Sequence, residues 1–203
     1  MKKFEYTPPE QPRELILKLG QKITDRIGHT VTAEDPEYYG LEALVTDEMA
    51  EVALKMKVRK PMTLAQAVKA TGKEEKVLEE LLQEMSNIGL LEYNWENPKH
   101  EKQYVLPMYV PGSAEFFNMK LDQIKEHPEV ASFFERMAFL PLQKVTPMVP
   151  PGGAGIGMHV IPVEKAIETE NESVSVEHIS HWLDKYDGKY AAGPCSCRYS
   201  RGV

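Results

Sequence analysis

Cysteine is nearly missing from this chain: its 203 residues include only Cys195 and Cys197, one residue apart near the C-terminal end. Thiols so close together cannot tie distant parts of a fold to each other, which excludes a disulfide scaffold. Long apolar runs are missing too. The opening Met1-Lys2-Lys3-Phe4-Glu5-Tyr6 has none of the apolar stretch of a signal peptide, and no later run approaches the roughly 20 residues that span a bilayer. The expected location is the cytoplasm, and a membrane is not an expected partner. Positive charge is in deficit, with 24 Lys plus Arg against 31 Asp plus Glu and a formal net charge of −7. A field of that sign repels phosphate backbones, so nucleic acid is an unfavoured partner.

What is present is ordinary for a globular protein: 42% hydrophobic and 27% charged residues in a 23.0 kDa chain, enough for one or two domains with a real core. Pro12 opens a first helix on which Leu15, Ile16, Leu19, Ile23 and Ile27 recur on one side, with Gly28 placed to end it. A turn-rich stretch containing Asp35-Pro36 and Gly40 follows. Thr46 then caps a helix carrying Met49, Val52, Ala53 and Met56 at helical spacing, and Pro61 breaks the pattern.

Thr63-Leu64-Ala65-Gln66 is a capping box, in which the Thr hydroxyl and the Gln side chain satisfy each other's orphan backbone donors. It starts a short helix to about Ala70. Beyond Gly72, Val77, Leu78, Leu81, Leu82, Met85 and Ile88 form the strongest apolar stripe in the chain, over 73–88, closed by Gly89. Two strands at 90–93 and 104–106, joined by the polar loop 94–103, complete a unit of three helices and a hairpin. That order resembles a winged helix over 45–106.

Helices at 113–124 and 128–137 follow, the second with Val130, Phe133, Phe134 and Met137 on one face. The fold class expected is α+β and mainly helical, with a first domain over 1–139. From 140 to 157 the composition turns to proline and glycine, so the remainder, 140–203, reads as an extended linker. It also holds a short edge strand at 160–163, a last helix marked by Val176, Ile179, Leu183 and Tyr186, and the cysteine segment. Trp182 is expected to anchor a core.

A winged helix invites a DNA-binding reading, but the outward positions of the 73–88 helix include Glu74, Glu75, Glu79, Glu80 and Glu84 against Lys73 and Lys76. An anionic helix fits a protein contact better than a phosphate backbone. The glycines of 152–157 could cradle a phosphate, yet they follow two prolines and precede an extended stretch rather than joining a strand to a helix. His178 and His181 are spaced to face one metal, but no carboxylate or third histidine is arranged with them.

Gly193-Pro194-Cys195-Ser196-Cys197-Arg198 is the most informative stretch, because two thiolates on a Gly-Pro turn can converge on one soft metal or cluster. Arg198 and Arg201 would favour the thiolate form. A cluster or structural zinc normally takes four ligands. The chain therefore borrows ligands, binds nothing, or stops before its remaining cysteines.

Four stretches carry a family resemblance: Val45-Thr46-Asp47-Glu48-Met49-Ala50-Glu51-Val52-Ala53, Gly89-Leu90-Leu91-Glu92-Tyr93-Asn94-Trp95, Val149-Pro150-Pro151-Gly152-Gly153-Ala154-Gly155-Ile156-Gly157, and Ala192-Gly193-Pro194-Cys195-Ser196-Cys197-Arg198. Through them nearly the whole chain resembles the N-terminal region of large iron–sulfur flavoproteins of anaerobic bacteria, pyridine nucleotide-disulfide oxidoreductases with 4Fe–4S ferredoxin-type domains. The resemblance implies an accessory electron-transfer module without a complete active site. It implies Cys195 and Cys197 as iron–sulfur ligands, with FAD and NAD(P) bound by a further C-terminal part. The implied partners are cluster- and flavin-binding domains. Two readings from other classes compete: a winged-helix transcription regulator sensing redox or metal through Cys195 and Cys197, and a plain protein-interaction scaffold.

Overall fold

A computed structural model describes residues 6–134, 179–189, 193 and 195–201. It divides into two compact units, 1–142 together with 194–203, and 143–193. The expected glycine loop at 152–157, the edge strand at 160–163, and His178 lie outside the described residues.

The first unit is mainly helical with one small antiparallel sheet. Helix α1 spans Glu14–Ile23 and buries Ile16, Leu19 and Ile23. It stops a turn earlier than its apolar spacing predicts, where the Thr24 N–H bonds back to the Gly20 carbonyl. Ile27, expected on the buried face, is instead fully exposed.

Helix α2, Pro36–Leu44, replaces the expected turn. Its signal is in the sequence, since Asp35-Pro36 places a capping residue before a proline at the first helical position, where the missing N–H costs nothing. Gly40 lies within it because the Tyr109 hydroxyl, which donates to the Pro36 carbonyl at 2.7 Å, occupies the space a Cβ would need.

Helix α3, Asp47–Lys55, is capped by Thr46, whose Oγ accepts from the Met49 N–H at 3.2 Å. Strand β1, Met62–Thr63, leads into helix α4, Leu64–Thr71. Both bonds of the Thr63–Gln66 capping box are formed, at 3.0 and 3.4 Å. Helix α5, Glu75–Ile88, follows with Leu78, Leu82 and Met85 fully buried. Val77 is 51% exposed and Leu81 only partly buried, so the core-facing stripe is narrower than the sequence suggests.

Gly89 closes α5 at φ +96°, and an added Cβ there would lie 2.7 Å from the Cβ of Phe116 and 2.8 Å from its carbonyl carbon. This position needs glycine for both conformation and space. Strands β2, Glu92–Asn94, and β3, Gln103–Val105, form the hairpin. The sheet order is β1-β3-β2, with Tyr93 opposite Tyr104 and Met62 also opposite Tyr104. The two-residue β1 was not expected; it is too short to show a period-2 pattern.

The expected 113–124 helix is two, α6 at Ser113–Phe117 and α7 at Leu121–Glu126. The buried Asn118 separates them. Its amide donates to the carbonyls of Ala114 and Val130, so the chain turns there to satisfy a side chain rather than continue the helix. Helix α8, Glu129–Phe134, buries Val130, Phe133 and Phe134 beside α2.

In the second unit, helix α9 spans Ile179–Lys185. Trp182 is 39% exposed and so does not anchor a core; its ring stacks on Tyr186, at 6.0 Å and 6°. Helix α10, Ser196–Arg201, belongs to the first unit. Among the described residues no helix is long and apolar enough to cross a membrane.

Candidate functional site

The cysteine segment is built on α10. Cys195 immediately precedes the helix and Cys197 is its second residue, and both side chains are exposed. The helix is held by its other end and flank. Ser200 is 2% exposed and α10 packs beside α6, α7 and α8, while the bond from Ser200 Oγ to the Cys197 carbonyl at 2.9 Å lies within α10 itself. A thiol pair is thus presented to solvent from an element tied to the main core. Arg198 is exposed next to it.

This donor set is soft and suits iron or zinc, but it is small. Among the described residues no group of three or more His, Cys, Asp or Glu side chains is placed to hold a metal ion. Cys195 and Cys197 therefore supply half of the usual four-ligand set. His181, exposed and edge-on to Trp182 at 5.5 Å, belongs to the second unit and has no ligand partner among the described residues.

A second surface lies on α5 and the hairpin. Lys76, Glu79, Glu80, Gln83, Glu84 and Asn87 follow one another at helical spacing on the side of α5 opposite its buried residues. Glu79, Glu80 and Glu84 are exposed and have no ion-pair partner among the described residues. Beside them, Lys102 donates to Gln83 Oε1 at 2.6 Å, and its ammonium sits 4.6 Å from the centre of the Tyr93 ring and 5.1 Å from that of Tyr104. Burial, and after it the Glu79 carboxylate, pushes the Tyr104 phenol above its usual range.

Tyr93 and Trp95 extend this surface, both about half exposed, with rings edge to face at 5.5 Å. Sequence reading passed over this pair, treating Tyr93 as a strand residue and Trp95 as part of a polar loop. Their spacing of two was the available signal, since it puts both side chains on one face of a strand.

Comparison of the chain with protein-family models, with curated proteins and with solved structures gave no match.

Proposed function

We propose that this chain is an accessory module of an iron–sulfur, flavin-dependent, NAD(P)-linked oxidoreductase. In this reading Cys195 and Cys197 are two ligands of an iron–sulfur cluster, and residues beyond those described supply the rest. One observation carries the reading: two exposed thiols, one residue apart, stand on a helix fixed to the core through Ser200 and the α6–α8 surface. Anchoring of this kind is what a shared cluster requires, because ligand positions must be held before the metal arrives if the site is to be selective. When bound, such a cluster supplies one-electron transfer. The chain's own part is to present two soft donors, with Arg198 nearby to offset negative charge. Flavin and nicotinamide nucleotide binding belong, in this reading, to cluster- and flavin-binding partner domains. Iron and acid-labile sulfide content, with and without the two thiols, is the test.

The order α3-β1-α4-α5-β2-β3 supports a winged-helix reading of this region, with β2 and β3 as the wing. The wing also keeps the regulator reading in view, since the helix before it would enter a DNA groove. The charge on that helix favours a protein contact. Between residues 74 and 102 stand eight glutamates against three lysines. We expect no retention of a DNA duplex by the protein at submicromolar concentration in a low-salt mobility-shift assay. A shift that disappears on mutating the 94–103 loop would instead favour the regulator.

A further inference from the structure

We propose that the outer face of α5, together with Tyr93 and Trp95 of the hairpin, docks a lysine- and arginine-bearing segment of a partner protein. The proposal is independent of the cysteine pair and would stand if that reading failed. It starts from a cation already seated between this face and the sheet. Lys102 lies between α5 and the sheet, hydrogen-bonded to Gln83 and stacked over the rings of Tyr93 and Tyr104. An ammonium is thus accommodated by aromatic faces on one side and the polar edge of an anionic helix on the other.

The same chemistry continues outward. Trp95 presents a half-exposed indole, the strongest of the aromatic cation seats, and no cation is placed over it among the described residues. Glu79, Glu80 and Glu84 are exposed on the outer side of α5 without ion-pair partners among the described residues. An exposed aromatic pair joined through Lys102 to an acidic helix face is poorly matched to an apolar partner, whose approach would desolvate the carboxylates without replacing their water. It is poorly matched to nucleic acid for the reason of sign. Guanidinium and ammonium groups satisfy both components, stacking on the rings while pairing with the carboxylates. Charge complementarity therefore selects a basic segment, and the aromatic pair distinguishes it from a merely diffuse counterion cloud.

The sequence has two tryptophans, so Trp182→Phe in the full chain leaves Trp95 as the sole indole reporter. Titration with a short arginine- and lysine-rich peptide at low ionic strength should change Trp95 emission saturably, whereas a glutamate-rich peptide of equal length should not. Reversal of Glu79, Glu80 and Glu84 to lysine should weaken binding by about tenfold or more, from three pairs of modest individual strength. The milder Glu→Gln triple variant should weaken it in the same direction if the reversal disturbs folding. Trp95→Ala, followed by calorimetry, should weaken binding severalfold with the carboxylates intact. Equal binding by the charge-reversed protein, or no effect of Trp95→Ala, would overturn the proposal. So would a protein that self-associates through this face, dissociating on reversal of the exposed basic turn residues Arg59 and Lys60. That result would make the occupant a second copy.

Discussion

Replacing Arg26 with methionine should destabilise the protein by about 3–5 kcal/mol, the usual cost of leaving a buried charge without its partner. Glu37 is fully buried on α2, and Arg26 holds it with two bonds, Nε to Oε1 at 2.8 Å and Nη2 to Oε2 at 2.6 Å. Thr24 donates a third bond to the same carboxylate at 2.7 Å. Arg26 also reaches Asp35 at 2.8 Å, so one guanidinium ties the segment after α1 to the start of α2.

The double change Arg26→Met and Glu37→Met should recover much of the loss, because it removes the stranded charge as well as the pair. Denaturant midpoints read both effects. A loss below about 1 kcal/mol for Arg26→Met would show that Glu37 finds other compensation.

The same cluster sets an acid limit. Burial works against the Asp35 charge, but the Thr32 N–H and the side chains of Arg26, His29 and Thr32 outweigh it and hold the carboxyl down at about 2. Its folded value lies below its unfolded one. The stabilisation is therefore complete above the unfolded value near 4 and is lost as pH falls toward about 2.

Leu82→Ala should cost about 2–5 kcal/mol, with the cost rising with the volume of the cavity left behind. Leu82 is fully buried on α5 between Leu78 and Met85, while Leu81, its neighbour in sequence, turns partly to solvent. Leu81→Ala should accordingly cost clearly less in the same urea or guanidinium titration. Equal losses at the two positions would mean that the register of α5 is wrong by about a quarter turn.

The parts of this fold that were legible in the sequence are those decided locally. Thr46 and the Thr63–Gln66 pair cap helices because side-chain oxygens and amides within four residues answer the orphan N–H groups, whatever the rest of the chain does. Gly72 and Gly89 end helices at positive φ for an equally local reason. The misreadings have tertiary causes. Gly40 looked like a turn residue, but its missing side chain makes room for Tyr109, which lies 69 residues away. Asn118 breaks the 113–124 helix because it bonds Val130 on α8, a partner no local pattern shows. Val77 was assigned to a core by periodicity and Trp182 by its large aromatic ring, although both remain substantially exposed.

The candidate site divides in the same way. Cys195-Ser196-Cys197 was visible as chemistry, but its anchoring on α6–α8 was not, since that depends on the last described residues packing beside helices of the first unit. The acidic character of α5 was legible from composition. Its junction with Tyr93, Trp95 and Lys102 was not, because the hairpin fold brings those residues beside Gln83.

The most direct measurement of the central proposal is the iron and acid-labile sulfide content of the tagged protein isolated anaerobically from its native cells with its bound partners. The wild-type chain should retain both, with visible thiolate-to-iron absorption. The Cys195→Ser/Cys197→Ser variant should lose them while keeping the wild-type denaturation midpoint, because exposed serines leave the fold intact but are hard, poorly ionised ligands. The 203-residue chain reconstituted by itself with iron and sulfide should hold little stable cluster, having two thiolates where four ligands are usual. Full iron and sulfide retention by the double variant would contradict the account, because the cluster would then be held without either cysteine.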